Sequence, residues 1–379
     1  MKIFIIGNVA SMMINFRKEL IAKLSKNNEV FCLVSDYTQK DKDIIASFGA
    51  IPLDYSLNSK GLNPFKDIIA TIELYKIIKK HNPDIVFSFF VKPVIFSSIA
   101  AKFAKTKRIV GMIEGLGNAF TINPKGSGLK TKIIKFIQIL LYKISLPLLD
   151  NLIFLQNDDK KDLVDKYKIK VKDIDILGGI GVDLDKFSYS IPNTKPIRFI
   201  FIARLLAQKG IFEYLEAAKT IKEKYKENVE FIVLGSFDEK NPFSLSKKVL
   251  DDYIKSGIIT YPGFVNNPNE WIKNSSVFVL PSYREGVPRS TQEAMAIGRA
   301  IITTNSVGCK ETVVDGINGY LVPICDSKAL ISKMELFINN PNLIDKMGKE
   351  SRKIAEQKYN VKDVNKRLIS FIFKSSINS

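Results

Sequence analysis

Two basic residues five positions apart, Arg204 and Lys209, stand in the loop Arg204-Leu205-Leu206-Ala207-Gln208-Lys209-Gly210, just after an apolar run that reads as a strand. An arginine can chelate phosphate oxygens through two parallel N–H donors and a lysine adds a point charge. Together they could hold a diphosphate and neutralise it as it departs. A solvated surface loop is the alternative reading. Two carboxylates eight positions apart, Glu285 and Glu293, lie in the run Pro281-Ser282-Tyr283-Arg284-Glu285-Gly286-Val287-Pro288-Arg289-Ser290-Thr291-Gln292-Glu293. Pro288 keeps the preceding loop out of a helix that opens at Arg289 or Ser290. Glu285 then belongs to the loop and Glu293 to the first helical turns, so both reach one cleft from different heights. The free N–H groups at that helix start form an anion site. Ser290-x-x-Glu293 also fits a capping box, which needs no ligand. Glu285 has no comparable structural role beyond loop solvation.

These loops are positioned by a recurring pattern. Lys2 to Ile6 reads as a strand that stops at Gly7, and Met12 to Leu24 carries apolar residues at helical spacing. Val30 to Val34, Ile85 to Phe90 and Arg108 to Ile113 read as strands, with helices over Phe65 to Lys80 and Ile95 to Ala104. The alternation restarts after the proline-bracketed linker Tyr189 to Pro196. There Ile197 to Ala203, Glu230 to Leu234, Ile258 to Tyr261, Val277 to Leu280 and Ala300 to Thr303 are strand-like, and Gly210 to Tyr225 is helix-like. The expected class is α/β, with two Rossmann-like domains whose sheets are parallel and whose ligands bind beyond the carboxyl ends of the strands, in a cleft between them. The expected boundaries are 1–190, 191–355, and a C-terminal helix in 356–379 that crosses back to the first domain.

Glu285 and Glu293, in a Glu-Gly-x-Pro run ending in a second Glu, resemble the E-x7-E signature of retaining GT-B glycosyltransferases of family 4. Arg204 and Lys209 resemble that family's phosphate-binding Arg and Lys, and Gly181-Val182-Asp183 with Phe187 resembles its interdomain segment. The resemblance covers essentially the whole chain from Gly7. It implies a GT-B fold in which Glu293 holds the ribose hydroxyls of a UDP-sugar, Glu285 the sugar hydroxyls, and Arg204 and Lys209 the diphosphate. Gly7, Gly286, Val287, Pro288, Arg289, Ser290 and Thr291 complete the donor site, with amides around Arg289 to Thr291 on the phosphates. Such pairing is chemically sensible, because vicinal hydroxyls favour carboxylate acceptors and a diphosphate favours cations and helix N-termini. The resemblance implies no metal and no cofactor.

In the first half, Asn15-Phe16-Arg17, Lys92-Pro93 and Glu114-Gly115-Leu116-Gly117 resemble a bacterial subgroup that builds O-antigen, capsule or N-linked glycans on undecaprenyl diphosphate. That implies Asn15, Arg17, Lys92 and Glu114 near the lipid-linked acceptor, and a donated hexose or N-acetylhexosamine, galactose or N-acetylgalactosamine being the guess. Glu114 as a carboxylate closing the Gly115-x-Gly117 turn is an alternative. That Gly-x-Gly lacks the third glycine of a dinucleotide fingerprint, which weighs against NAD. Asp173-Ile174-Asp175 and Asp183-Leu184-Asp185 spell a DxD metal pattern but fall at the boundary between the halves.

The composition suits these expectations. The 379 residues are 46% apolar and 25% charged, a globular balance that excludes disordered and collagen-like readings and fits two domains. Net charge is +18, and residues 1 to 150 contribute 22 − 11 = +11 of it. Lys125 to Lys143 holds five lysines and no acids among Leu129, Ile133, Ile134, Phe136, Ile137, Leu140 and Leu141. This segment fits either an amphipathic element lying on an anionic leaflet or a helix buried on one side. Three cysteines without a CxxC pair and a single histidine, His81, argue against a zinc site or a disulfide framework. His81 reads as a helix C-terminal residue. The first residues are too short an apolar run for a signal peptide, and no segment suits a membrane span. A cytoplasmic enzyme, peripheral on the inner face of the cell membrane, is therefore expected, with no nucleic-acid partner. Two rival readings are a UDP-sugar 2-epimerase, which would need acid and base groups near C2, and a basic nucleic-acid- or membrane-binding protein.

Overall fold

The computed structural model describes residues 1–379 except 58–62, 122–125, 127, 238–240, 242 and 375–379. Two compact units emerge. The first holds Met1–Phe120, Ser127–Ile180 and Lys362–Ser379, and the second Gly181–Val361.

The first unit is built on a parallel sheet of β1 (Lys2–Ile6), β2 (Glu29–Val34), β3 (Ile51–Asp54), β4 (Ile85–Phe89), β5 (Arg108–Ile113), β6 (Asn151–Phe154) and β7 (Ile174–Ile176). Their order is β3-β2-β1-β4-β5-β6-β7. The order reverses between β1 and β4, and crevices for ligands open beyond the strand ends at such a switch point. Strands covered on both faces tend to be continuously apolar, as the buried Ile3–Ile6 run of β1 is, whereas the buried run of β4 is interrupted by Ser88. The connecting helices are α1 (Ala10–Ser25), α2 (Gln39–Ser47), α3 (Pro64–His81), α4 (Val91–Phe103) and α5 (Leu129–Ser145). α3 begins with Pro64 behind an Asn63 cap and ends on Asn82 in the left-handed region, so the His81-Asn82-Pro83 stretch is a helix stop.

In the second unit, β8 (Ile197–Ile202), β9 (Val229–Leu234), β10 (Thr260–Gly263), β11 (Val277–Leu280), β12 (Ala300–Thr304) and β13 (Gly319–Val322) form a parallel sheet in the order β10-β9-β8-β11-β12-β13. Its core includes stacked Phe199 and Phe231, with Tyr214 edge-on to Phe231. β10 lies two residues later than the expected Ile258 to Tyr261 strand.

The division between the units falls earlier than residue 190. The Val182 N–H donates to the Tyr359 carbonyl (2.7 Å) and the Val361 N–H to the Val182 carbonyl (3.0 Å). The Gly181 N–H donates to Gln292 Oε1 (3.1 Å), so Gly181-Val182-Asp183 is stitched into the second unit. At the other end, the helix Asn342–Lys358 stays with the second unit and the helix Val361–Phe373 joins the first. There Arg108 donates to the carbonyls of Ile372 (2.6 Å) and Phe371 (3.1 Å).

Arg299 fixes the linker onto the second sheet. Fully buried, it donates to the carbonyls of Ser275 (2.8 Å), Ile297 (3.1 Å) and Ser190, and to Ser190 Oγ (2.6 Å). Burial pushes its guanidinium down to about 10. Arg299→Ala would leave several buried acceptors unsatisfied, and we expect a loss of about 3 kcal/mol or more in urea unfolding. A loss under about 0.5 kcal/mol would contradict this role.

Candidate active site

Three loops of the second unit meet beyond the carboxyl ends of β8, β11 and β12. The loop after β8 presents Arg204 as an exposed side chain with no partner among the described residues. It then makes a short helical turn, Ala207–Lys209, and ends on Gly210 at φ 76°. A Cβ at Gly210 would sit 2.1 Å from the Pro281 carbonyl oxygen, so this loop and the one after β11 touch through backbone. That closeness brings Lys209 to Glu285. The ammonium bonds Glu285 Oε1, and the Ser282 hydroxyl donates to the same oxygen (2.8 Å). Ser282 is itself held in place, because its carbonyl accepts the hydroxyls of Thr304 and Ser306. Gly308, in the loop after β12, lies where a Cβ would meet the Glu285 and Gly286 carbonyl oxygens at 2.2 Å. Glu285 therefore has a definite place. Far from being merely solvated, its side chain is 14% exposed and doubly held.

The helix Arg289–Ile297 starts where Pro288 ends the loop, and it has no side-chain cap. The capping box open to Ser290 and Glu293 does not form. Ser290 lies inside the first turn, its hydroxyl donating to the Ile202 carbonyl (3.1 Å). Glu293 instead pairs with Arg289 Nε at 3.1 Å, one turn earlier. Burial pushes the Glu293 carboxyl up, outweighing Arg289 and the more distant Lys186. Thr291, in the same first turn, is fully buried and its hydroxyl has no hydrogen-bond partner among the described residues. Gly286 is half-buried, and Val287 and Pro288 are buried beneath the loop. The arrangement offers two cations, two carboxylates, a helix N-terminus and an unsatisfied hydroxyl. These are donors and acceptors suited to a polyanionic, polyhydroxylated ligand.

The raised Glu293 carboxyl carries a stability consequence. A carboxyl whose folded pKa exceeds its unfolded value costs stability as pH rises from the ordinary carboxyl range through the folded value. Glu293→Gln removes that cost. The melting temperature of the ligand-free variant should exceed the parent's at pH 7, with the gain shrinking toward zero below the ordinary carboxyl range. An equal difference at both pH values would contradict the burial cause.

In the first unit, Arg17 projects from α1 at a register shared with Met13, Leu20 and Leu24, a core-facing stripe. Its guanidinium bonds Glu114, just after β5, donates to the Phe16 carbonyl (3.2 Å), and lies 4.6 Å from the Phe89 ring centroid. Both partners of this pair are nearly buried. Gly7 ends β1 against the same ring, where a Cβ would come within 2.6 Å of Phe89. Phe90 adopts φ 70° between β4 and α4. Lys92 follows in the first turn of α4 and pairs with Asp67 of α3 at 2.7 Å. Asn15 is exposed on α1. Arg17 and Glu114 thus meet directly, whereas Lys92 answers to a carboxylate that the sequence reading did not single out. Ser282, Phe89 and Asp67 are the residues that reading missed. Only Ser282, inside the Glu285 loop, carried a signal.

Other candidates resolve into structure. Asp183 Oδ1 accepts from the Asp185 (2.9 Å) and Lys186 (3.1 Å) N–H groups. Asp173 and Asp175 pair with Lys374. His81, half-buried at the end of α3, packs on Phe31 (5.0 Å) and Phe4 (5.8 Å). α5 exposes Leu129, Ile133, Phe136, Leu140 and Ile144, which follow one another at helical spacing. The opposite face packs on the core through Tyr142, Ile139 and Leu141, so the helix is buried on one side and leaves an apolar stripe exposed on the other. No helix among the described residues is long and apolar enough to cross a membrane.

Comparisons with known proteins agree with the fold. The family described as "Glycosyl transferases group 1" matches residues 183–354, and "Glycosyl transferase 4-like" matches residues 2–154. The chain is 29% identical over 375 residues, 94% of each chain, to the N,N'-diacetylbacillosaminyl-diphospho-undecaprenol alpha-1,3-N-acetylgalactosaminyltransferase of Campylobacter jejuni. It is 28% identical to the Escherichia coli UDP-Gal:alpha-D-GlcNAc-diphosphoundecaprenol alpha-1,3-galactosyltransferase, covering 80% of this chain and 78% of that one. Among solved structures, Anabaena Alr3699/HepE in complex with UDP superposes with a TM-score of 0.75 at 13% identity, covering 98% of this chain and 99% of that one. A likeness at that identity establishes the shared GT-B fold. With a glycosyltransferase family matched on each half and the fold common to both, the chain belongs to the group 1, family 4-like glycosyltransferases and is itself a glycosyltransferase.

Proposed function

We propose that this glycosyltransferase moves galactose or N-acetylgalactosamine from a UDP-sugar to a saccharide carried on a polyisoprenyl diphosphate, with retention of anomeric configuration. The observation that carries this reading is the cluster in the second unit: Lys209, Glu285 and Ser282 joined by hydrogen bonds, beside the free helix start with the unsatisfied Thr291 hydroxyl. The acceptor class follows from the relatives, which are named for diphospho-undecaprenol-linked sugars and align over most of their length.

In this reading Arg204 and Lys209 take the diphosphate, with the amides of the Arg289–Ile297 helix start and the Thr291 hydroxyl on the same phosphates. Glu293 accepts the ribose hydroxyls and Glu285 the sugar hydroxyls. The acceptor hydroxyl attacks from the face the diphosphate leaves, and a phosphate oxygen of the donor takes its proton. The growing charge on the leaving UDP is then met by the two cations. No metal takes part. Arg17, Lys92 and Glu114, with Asn15, serve the acceptor. The exposed apolar face of α5, flanked by Lys130, Lys132 and Lys143, rests on an anionic leaflet at the cytoplasmic side, where such a lipid is found.

The test is transfer of radiolabel from a panel of UDP-hexoses and UDP-N-acetylhexosamines to polyisoprenyl-diphosphate-linked saccharides, with and without a chelator. Label is expected in the lipid fraction from UDP-galactose or UDP-N-acetylgalactosamine, undiminished by chelation. No transfer from any UDP-sugar would overturn the reading.

A further inference from the structure

α3 and α4 run side by side, with Asp67 and Lys92 bonded near their amino ends. Farther along the same helices lies an open groove of about 330 Å³, lined by Thr71, Ile72, Tyr75, Ile99, Ala100 and Phe103. That volume is at the low end of ligand sites. The two polar atoms of its lining are occupied elsewhere. The Thr71 hydroxyl donates to the Asp67 carbonyl (2.7 Å), and the Tyr75 hydroxyl accepts from Lys79 Nζ (3.0 Å). The groove therefore presents mostly carbon, with the Tyr75 O–H still able to donate. Ile72 at 50% and Phe103 at 74% exposure stand at its rim, apolar surface that the fold leaves uncovered.

We propose that this groove receives the first isoprenoid units of the acceptor lipid, an inference that rests on the acceptor class proposed above. Geometry and charge point to that occupant. Thr71 lies four residues beyond Asp67 and Ile99 seven beyond Lys92, roughly 6 and 10 Å along the helix axes. Those steps separate the groove from the amino end of α4. That end lacks a side-chain cap, its Lys92 is paired with Asp67, and Lys66 is exposed on the neighbouring turn of α3. An uncapped helix start with the exposed Lys66 beside it, followed by an apolar channel, complements a molecule with a diphosphate head and a branched hydrocarbon tail. A flat bilayer contact would need the apolar rim but not the channel.

The test is calorimetric titration of the full chain with geranylgeranyl diphosphate, and with inorganic diphosphate as a head-only probe, without vesicles. The wild type should prefer the isoprenoid by at least tenfold. Ile72→Asp and Phe103→Asp, each at an exposed position, should each reduce that preference about tenfold, with affinity for inorganic diphosphate and for UDP unchanged. The absence of a preference in the wild type would overturn the proposal. So would variants that keep the preference but lose binding to anionic phosphatidylglycerol vesicles, which would make the rim a bilayer contact. Failure of the wider reading looks different: a wild type that prefers the isoprenoid yet transfers sugar to no polyisoprenyl-diphosphate acceptor keeps the groove and loses the reaction.

Discussion

Lys209→Ala is expected to lower kcat by roughly 10²- to 10³-fold at saturating donor, the cost of removing one donor aimed at charge that develops in the transition state. The expectation rests on where the fold holds this ammonium. Gly210 lets the β8 loop press against Pro281, and the contact delivers Lys209 to Glu285 with Ser282 on the same oxygen. A lysine on a free loop would have to be ordered during each turnover, whereas this one is already in place. Its present partner is a carboxylate that remains bonded to Ser282, so the variant should fold and melt close to the parent. Arg204→Ala should act in the same direction, because the exposed Arg204 guanidinium has no structural duty to lose. Unchanged kcat in both variants would remove the two cations from the reaction.

The largest effect on stability outside the second unit is expected from Arg17→Met. Arg17 is 2% exposed and Glu114 9%, and the guanidinium also lies over the Phe89 ring. Breaking such a nearly buried pair by removing one partner is expected to cost about 3 to 5 kcal/mol. Replacing both partners, as Arg17→Met with Glu114→Gln, should recover a large part of it, since losing one partner of a nearly buried ion pair costs more than losing the pair. Urea unfolding of the two single variants and the double variant measures this. A double variant as unstable as the sum of the singles would mean that the two residues contribute independently, against the observed bond.

The central strands were legible because each is a continuous apolar run ending in a loop that breaks the pattern. β1, β5 and β11 fall where such runs predict them. The edges were not. β3 contains Pro52 and is half-exposed, β7 is the three-residue run Ile-Asp-Ile, and β13 opens with a glycine, so none carries an unbroken hydrophobic signal. The motif loops carried the second unit's candidates by type and spacing, but the meaning of Glu293 could not be read there. Ser290-x-x-Glu293 satisfies the capping pattern, and only the helix start at Arg289 turns Ser290 toward β8 and frees Glu293 for Arg289. Asp67 was invisible for another reason. A helical aspartate 25 residues before a lysine has no local signature, and the parallel course of α3 and α4 is what joins them. The stripe of α5 was visible as composition, yet whether it faced a core or the outside was a question of tertiary packing.

The most direct measurement is calorimetry of UDP with the wild-type chain and with Arg204→Ala, Lys209→Ala and Glu293→Gln. We expect one UDP per chain, with affinity reduced at least tenfold in each variant. No association of UDP with the wild type, or undiminished affinity in all three variants, would contradict the assignment of these side chains to a nucleotide-sugar site.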